Sequence, residues 1–326
     1  MGTGIARLAR LARHARLGAG WALTVALALA LTGCQSLPGG GAGSPPTDDD
    51  VPSGTPTESG APTEPAAPGA PVLQVSRSGG FVPMGYDFSA VPELTVYADG
   101  RAIVPGPQIL IYPGPLLPNL QVVQLSEADV GALVDAARDA DLLGAAPDYG
   151  LPNVTDLPTT YVTLTVDGRS YLHAAYALGF VEGEGTTQDD GLPAGGSGLT
   201  DEQAAARISL TELIDAANAL VAARGSSTPY AIEAFGVLAQ PIDLAVEGAA
   251  SPDAQVMPWP LDATLADLAD TAECTVIDGA AARTLLGALG SARQATLFEQ
   301  DDDTYSVWFR PLLPHEDGCE DLGVGG

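Results

Sequence analysis

Two stretches of this chain share Leu-Thr-Val followed closely by Asp-Gly-Arg: residues 94–101, "LTVYADGR", and residues 164–169, "LTVDGR". Apolar residues alternate with polar ones in both, Leu94 and Val96 in the first and Val162, Leu164 and Val166 in the second. A period of two buries one side of a strand and leaves the other in polar surroundings. Asp-Gly between two such runs supplies the positive φ that a tight hairpin turn needs. Each stretch is therefore predicted to be an antiparallel hairpin, and each is followed by a helix. The first helix starts at Ser126 with Asp129 three residues on, the second at Thr200 with Gln203 at the same spacing, both capping-box-like starts. Val130, Leu133, Val134 and Ala137 form the apolar stripe of the first helix. Leu210, Leu213, Ile214, Ala217, Leu220 and Val221 form that of the second, and Gly225 is a natural stop. Strand, strand, helix thus occurs twice, a hint of an internal repeat, and the chain is predicted to be α+β.

The second half has a different order. Residues 229–239, "PYAIEAFGVLA", read as a strand, and the stretch around Met257, Pro258, Trp259 and Pro260 as irregular. Residues 273–277 suit a strand, Asp278 an N-cap, and Leu285, Leu286 and Leu289 the buried face of a helix. Residues 295–314 follow as a hairpin turning at 300–303. The expected organisation is an N-terminal α+β domain over 72–226 and a C-terminal strand-helix-strand-strand module over 227–326.

What precedes residue 72 is not fold. The first 33 residues hold no acid; Arg7, Arg10, Arg13 and Arg16 open them, and residues 17–33 are uncharged and mostly apolar, the layout of a secretory signal peptide. That length is the short limit for a membrane-spanning helix. The segment ends in Leu31-Thr32-Gly33-Cys34, which resembles the lipobox of bacterial lipoproteins. The resemblance implies that Cys34 is alkylated by a diacylglyceryl group, that cleavage precedes it, and that the chain is held at the extracytoplasmic face of the cell membrane. Acyl chains in pairs meet the condition for stable anchoring. Residues 35–71 contain nine Pro, one Leu and no aromatic residue, so they have too little to bury and read as a tether, about 35 Å end to end as a flexible coil. Residues 76–100, with Gly79-Gly80, Pro83 and then the Tyr-Ala-Asp-Gly turn, resemble secreted bacterial α+β domains that carry a glycine-rich loop before such a hairpin; the likeness spans 73–176 and implies a fold but no activity.

Outside the cytoplasm, the two cysteines left over, Cys274 and Cys319, are predicted to form a disulfide, because the compartment is oxidising and no CxxC or His pair points to metal. It would close a strand, a helix and a hairpin and hold the Pro-rich exit "RPLLPHEDGC".

Charge narrows the partners. The chain has 41 acids against 13 basic residues, all of them Arg, and a net charge of −28. Such a surface repels nucleic-acid phosphates and acidic polymers. The absence of Lys excludes a P-loop lysine and Schiff-base chemistry. No G-x-S-x-G elbow and no G-x-G-x-x-G follow a strand, so no cofactor is expected. The acid clusters at 299–306 and 182–191 lack EF-hand spacing and read as a solvated turn and a Gly-rich loop, so no metal is expected either. His173 on a returning strand reads as a surface or satisfied residue, and Trp259 and Trp308 either as ligand-stacking residues or, the commoner use of a strand Trp, as core. Arg310, His315 and Glu316 are the nearest approach to a site, an acid, a base and a cation in one Pro-constrained loop; no catalytic residue is assigned.

The leading expectation is therefore a membrane-anchored lipoprotein whose folded part is a non-enzymatic binding or scaffolding module of the cell envelope, with an unidentified protein or polymer partner. The second is an extracytoplasmic hydrolase using a carboxylate pair on wall glycans. A cleft with two facing buried acids would mark the second, and an exposed apolar or aromatic patch the first.

Overall fold

Both predicted hairpins form, and a strand that the sequence conceals joins them. The structure is a computed structural model, and it describes residues 69–180, 198–242, 255–270 and 273–322; Cys34, residues 35–68 of the tether and the 182–191 loop lie outside them. The elements of the first part are β1 (Leu73–Ser78), the single turn α1 (Tyr86–Ser89), β2 (Leu94–Val96), β3 (Arg101–Pro105), β4 (Leu120–Gln124), α2 (Glu127–Asp139), β5 (Thr159–Val166), β6 (Arg169–Tyr176), α3 (Asp201–Ala223) and β7 (Thr228–Pro229). The strands make one sheet in the order β6-β5-β1-β2-β3-β4-β7, antiparallel at every pairing. β1 lies between the hairpins: Leu73 faces Val96 on one side and Leu164 on the other, and Val75 faces Leu94 and Val162.

The shared Asp-Gly pair makes two different turns. Between β5 and β6, Asp167 and Gly168 both take positive φ, 53° and 72°, as a two-residue hairpin loop requires. Between β2 and β3, Tyr97 and Ala98 are extra. Gly100 N–H donates to Tyr97 O, Tyr97 N–H donates to Arg101 O, and Gly100 alone takes positive φ. Gly100 is needed there for contact as well: a Cβ would stand 2.4 Å from Leu125 O.

Both capping boxes are present, Ser126 with Asp129 and Thr200 with Gln203. They fix the starts of α2 and α3, whose buried residues (Val130, Leu133 and Ala137; Leu210, Leu213 and Ala217) share one core with Leu73, Val75, Leu94, Val96, Val162 and Leu164. Each fully buried aliphatic side chain of this kind contributes about 1.5–3 kcal/mol.

The second part contains β8 (Ala234–Pro241), β9 (Val256–Pro258), α4 (Leu265–Asp270), β10 (Thr275–Asp278), α5 (Gly279–Leu289), β11 (Leu297–Gln300), β12 (Asp303–Pro311) and a closing 3-10 turn (Cys319–Leu322). Its sheet runs β10-β8-β12-β11-β9. Three local expectations need correction. The stretch around Met257 is not irregular: β9 pairs in parallel with β11, Val256 opposite Leu297. The strand expected over 229–239 is divided between the sheets, because Pro229 pairs with Gln121 of β4 while Ala234 begins β8. Leu286 is 37% exposed, so the buried face of α5 is Ala282, Leu285 and Leu289. The hairpin β11–β12 turns on Asp301 and Asp302, both at positive φ.

Phe235, Phe298, Phe309 and Trp259 form the aromatic centre of this second core, with Trp259 stacked on Phe309 at 6.3 Å and edge-on to Phe298. The predicted disulfide Cys274–Cys319 is formed across 45 residues of sequence. It packs on β8 at Gly236, where a Cβ would stand 3.1 Å from Cys274 Sγ and 2.6 Å from Leu322. Past β12 the chain turns toward the first sheet, where Leu313 packs with Tyr97, Ile103 and Leu120. The described residues, both sheets included, belong to one compact unit. Among the described residues no helix is long and apolar enough to cross a membrane.

Candidate functional site

Arg310, His315 and Glu316 are brought together: Arg310 pairs with Glu316, His315 bonds to the first sheet, and the buried Arg310 Nε has no hydrogen-bond partner. Arg310 is the penultimate residue of β12, and the Pro-rich exit folds Glu316 back onto it: Arg310 Nη2 donates to Glu316 Oε1 at 2.7 Å, and Leu313 N–H donates to Oε2 at 2.6 Å. Arg310 Nη1 also donates to Pro311 O. Both side chains are almost wholly buried. Burial pushes the Glu316 carboxyl up and the Arg310 guanidinium down, each toward its neutral form, while each charge pulls the other back. His315 bridges to the first sheet: its Nδ1 is 2.9 Å from Tyr97 Oη and its Nε2 3.3 Å from Gln74 Nε2. A proton on Nδ1 satisfies both contacts, with Nδ1–H donating to Tyr97 and Nε2 accepting from the Gln74 amide. Burial, then the Arg310 charge, holds this imidazole below its ordinary range. The cluster is a tie between the C-terminal exit and both sheets.

His173 is a satisfied core residue. Its Nε2 donates to Leu142 O at 2.9 Å and its Nδ1 lies 2.7 Å from Tyr149 Oη. Arg207 lies nearby and donates to the carbonyls of Tyr149, Tyr176 and Ala177, closing the end of β6 onto α3. Among the described residues Glu316 is the one buried carboxylate, and no three His, Cys, Asp or Glu side chains converge as metal ligands.

An open groove of about 880 Å³ lies elsewhere, between two loops that carry exposed apolar side chains. The first loop is residues 79–85. Gly79 N–H donates to the Asp87 carboxylate, and Gly80 at φ 85° passes so close to residues 156–158 that a Cβ would meet Asp156 O at 3.1 Å. Held there, the loop projects Phe81, which is 92% exposed, and Met84. Gly85, at φ 75°, lies against the indole of Trp308, where a Cβ would come within 2.1 Å of Nε1.

The second loop is residues 105–115, "PGPQILIYPGP". Its first Pro-Gly-Pro is pinned by Gly106 N–H donating to Asn119 O and by Asn119 Nδ2 donating to Pro107 O. Its second is pinned to the other part of the molecule by Gln294 N–H donating to Gly114 O. Between these brackets Ile109, Leu110, Ile111 and Tyr112 stand in solvent, Leu110 fully and Tyr112 at 88%. Phe81, Met84, Tyr86, Tyr112, Leu116 and Trp308 line the groove. The lips carry the exposed acids Asp87, Glu93 and Asp156, and Arg77 paired with Glu93 at 2.9 Å.

No protein-family model, curated protein or solved structure matches this chain. The reading of the site therefore rests on its own geometry. Trp308, expected in the core, is half-buried in the groove wall, because side chains alternate along β12 and its neighbours Val307 and Phe309 take the core side. The groove itself escaped the sequence reading. The available signal was four consecutive apolar residues between two Pro-Gly-Pro brackets, a run with neither helical nor strand periodicity.

Proposed function

We propose that this is a lipid-anchored extracytoplasmic binding protein. Cys34 holds it at the membrane, residues 35–71 let the folded part range over tens of ångströms, and the groove between residues 79–85 and 105–115 engages a partner through apolar contact. The observation that carries the reading is the exposure of Phe81, Met84, Ile109, Leu110 and Tyr112 on two pinned loops. Contiguous exposed apolar side chains on a fixed scaffold mark interaction sites, and loops already held in place lose little entropy on binding. The described residues favour this reading over a carboxylate pair acting on glycans, because Glu316 is committed to Arg310 and Leu313.

Two experiments test the two halves of the proposal. Labelled palmitate should enter the wild-type chain and not Cys34→Ala; incorporation into the variant at mature length would remove the anchor. A photo-crosslinking residue at Tyr112, which lines the groove and is exposed, should give an adduct with an envelope component in the anchored protein, whereas one at Glu212, exposed on α3, should not. Equal labelling at both positions would remove the groove.

A further inference from the structure

We infer that the occupant of the groove is a cationic, apolar segment of another protein; the inference rests on the groove being the binding site. Charge selects the partner class. Asp87, Glu93 and Asp156 stand exposed at the lips, and the one cation among the lining residues, Arg77, is already paired with Glu93. The whole chain adds a net −28. A field of one sign around a cleft with apolar walls concentrates counter-charged partners and repels like-charged ones. The same field disfavours a second copy of this chain, a nucleic acid and an anionic lipid surface. Membrane-inserting apolar segments are flanked by Lys and Arg, whereas this groove is flanked by carboxylates.

Exposure selects a macromolecule over a small ligand. Small-molecule pockets enclose their ligand and draw apolar side chains inward. Here Phe81 and Tyr112, one from each loop, line the groove and are still 92% and 88% exposed, so the groove does not enclose them and a surface that covers both must extend over both loops. The lining combines aromatic and Met side chains with a few charged ones, as a protein interface does. The partner segment thus presents aliphatic or aromatic residues to the groove and Arg or Lys to Asp87 and Asp156.

The test is selection of random twelve-residue peptides, displayed on phage, against the detergent-solubilised full-length protein, with Phe81→Ser/Tyr112→Ser as the counter-target. The expected result is a set of peptides with net positive charge and apolar residues, lost on the counter-target, that change the emission of Trp308 when synthesised. Asp87→Asn/Asp156→Asn should weaken them about fivefold at low salt and much less at high salt. Both substitutions suit the backbone, since Asn keeps an acceptor for Gly79 N–H and tolerates the positive φ of Asp156. Groove-dependent peptides that are neutral or acidic would overturn the cationic partner and leave the groove as a binding site. The absence of any groove-dependent peptide would overturn both. Flotation with phosphatidylglycerol vesicles that is lost in Leu110→Ser/Tyr112→Ser would overturn the protein partner in favour of a lipid surface.

Discussion

Replacing Glu316 by Gln removes one charge from a pair that water does not reach. The side chains of Arg310 and Glu316 are 3% and 2% exposed, so solvent screening does little for the guanidinium left behind. The amide introduced by Glu316→Gln keeps one oxygen, enough for Leu313 N–H or for Arg310 Nη2 but not for both, so one acceptor is lost together with the charge. An uncompensated buried charge costs about 3–5 kcal/mol. At about 2–4 °C per kcal/mol for a chain of this size, the melting temperature should fall by about 6–20 °C. The double variant Arg310→Met/Glu316→Leu removes both charges and should recover part of the loss. What remains is the buried Leu313 N–H without its acceptor, about 1–3 kcal/mol. Urea unfolding followed by Trp emission measures both. The reasoning fails if Glu316→Gln costs under about 1 kcal/mol, or if the double variant is less stable than the single one.

Three further outcomes follow from the same structure. Burial holds both His315 and His173 below their ordinary value of 6.5, so protonation favours the unfolded chain: their contribution is fully present above about pH 6.5 and is lost as pH falls toward the lowered folded values. Melting temperature should decline from pH 7 to 5.5, and His315→Asn, which keeps a donor for Tyr97, should flatten the slope by up to ~1.4 kcal/mol per pH unit; an unchanged slope would refute the assignment. Reduction of Cys274–Cys319, which closes 45 residues, should cost up to about 4 kcal/mol, with hydrogen exchange rising first in β10, α5 and the 3-10 turn; uniform exchange across both sheets would contradict a local staple. Gly85→Ala should push the Trp308 ring out of place and shift its emission, because the added methyl has no room beside the indole; a spectrum identical to wild type would show that the loop yields instead.

Hairpins and helices were legible because each is set by neighbours in sequence. Ser126 and Asp129 cap α2 through contacts three residues apart, and Asp167-Gly168 turns β5 into β6 with no help from elsewhere. β1 was not legible: "LQVSRS" offers two buried apolar residues, and its strand character comes from pairing with β2 and β5 on both edges. Parallel β9 is the same case, a three-residue strand that exists because β11 lies beside it. Trp308 stands on the side opposite to the one expected because alternation says which residues share a face and not which face is covered.

The sequence by itself determined the α+β class, the capped helices, the three hairpins, the cysteine pair and the sign of the surface charge. All of these depend on local backbone preference, on short spacings or on composition. The tertiary structure alone decided that Arg310 and Glu316 neutralise each other, that His315 reaches Tyr97 across 218 residues, and that residues 79–85 and 105–115 flank one groove. The last two are distances between segments separated in the chain, and the pairing of Arg310 with Glu316, six residues apart, depends on the burial that the packed sheets impose on it.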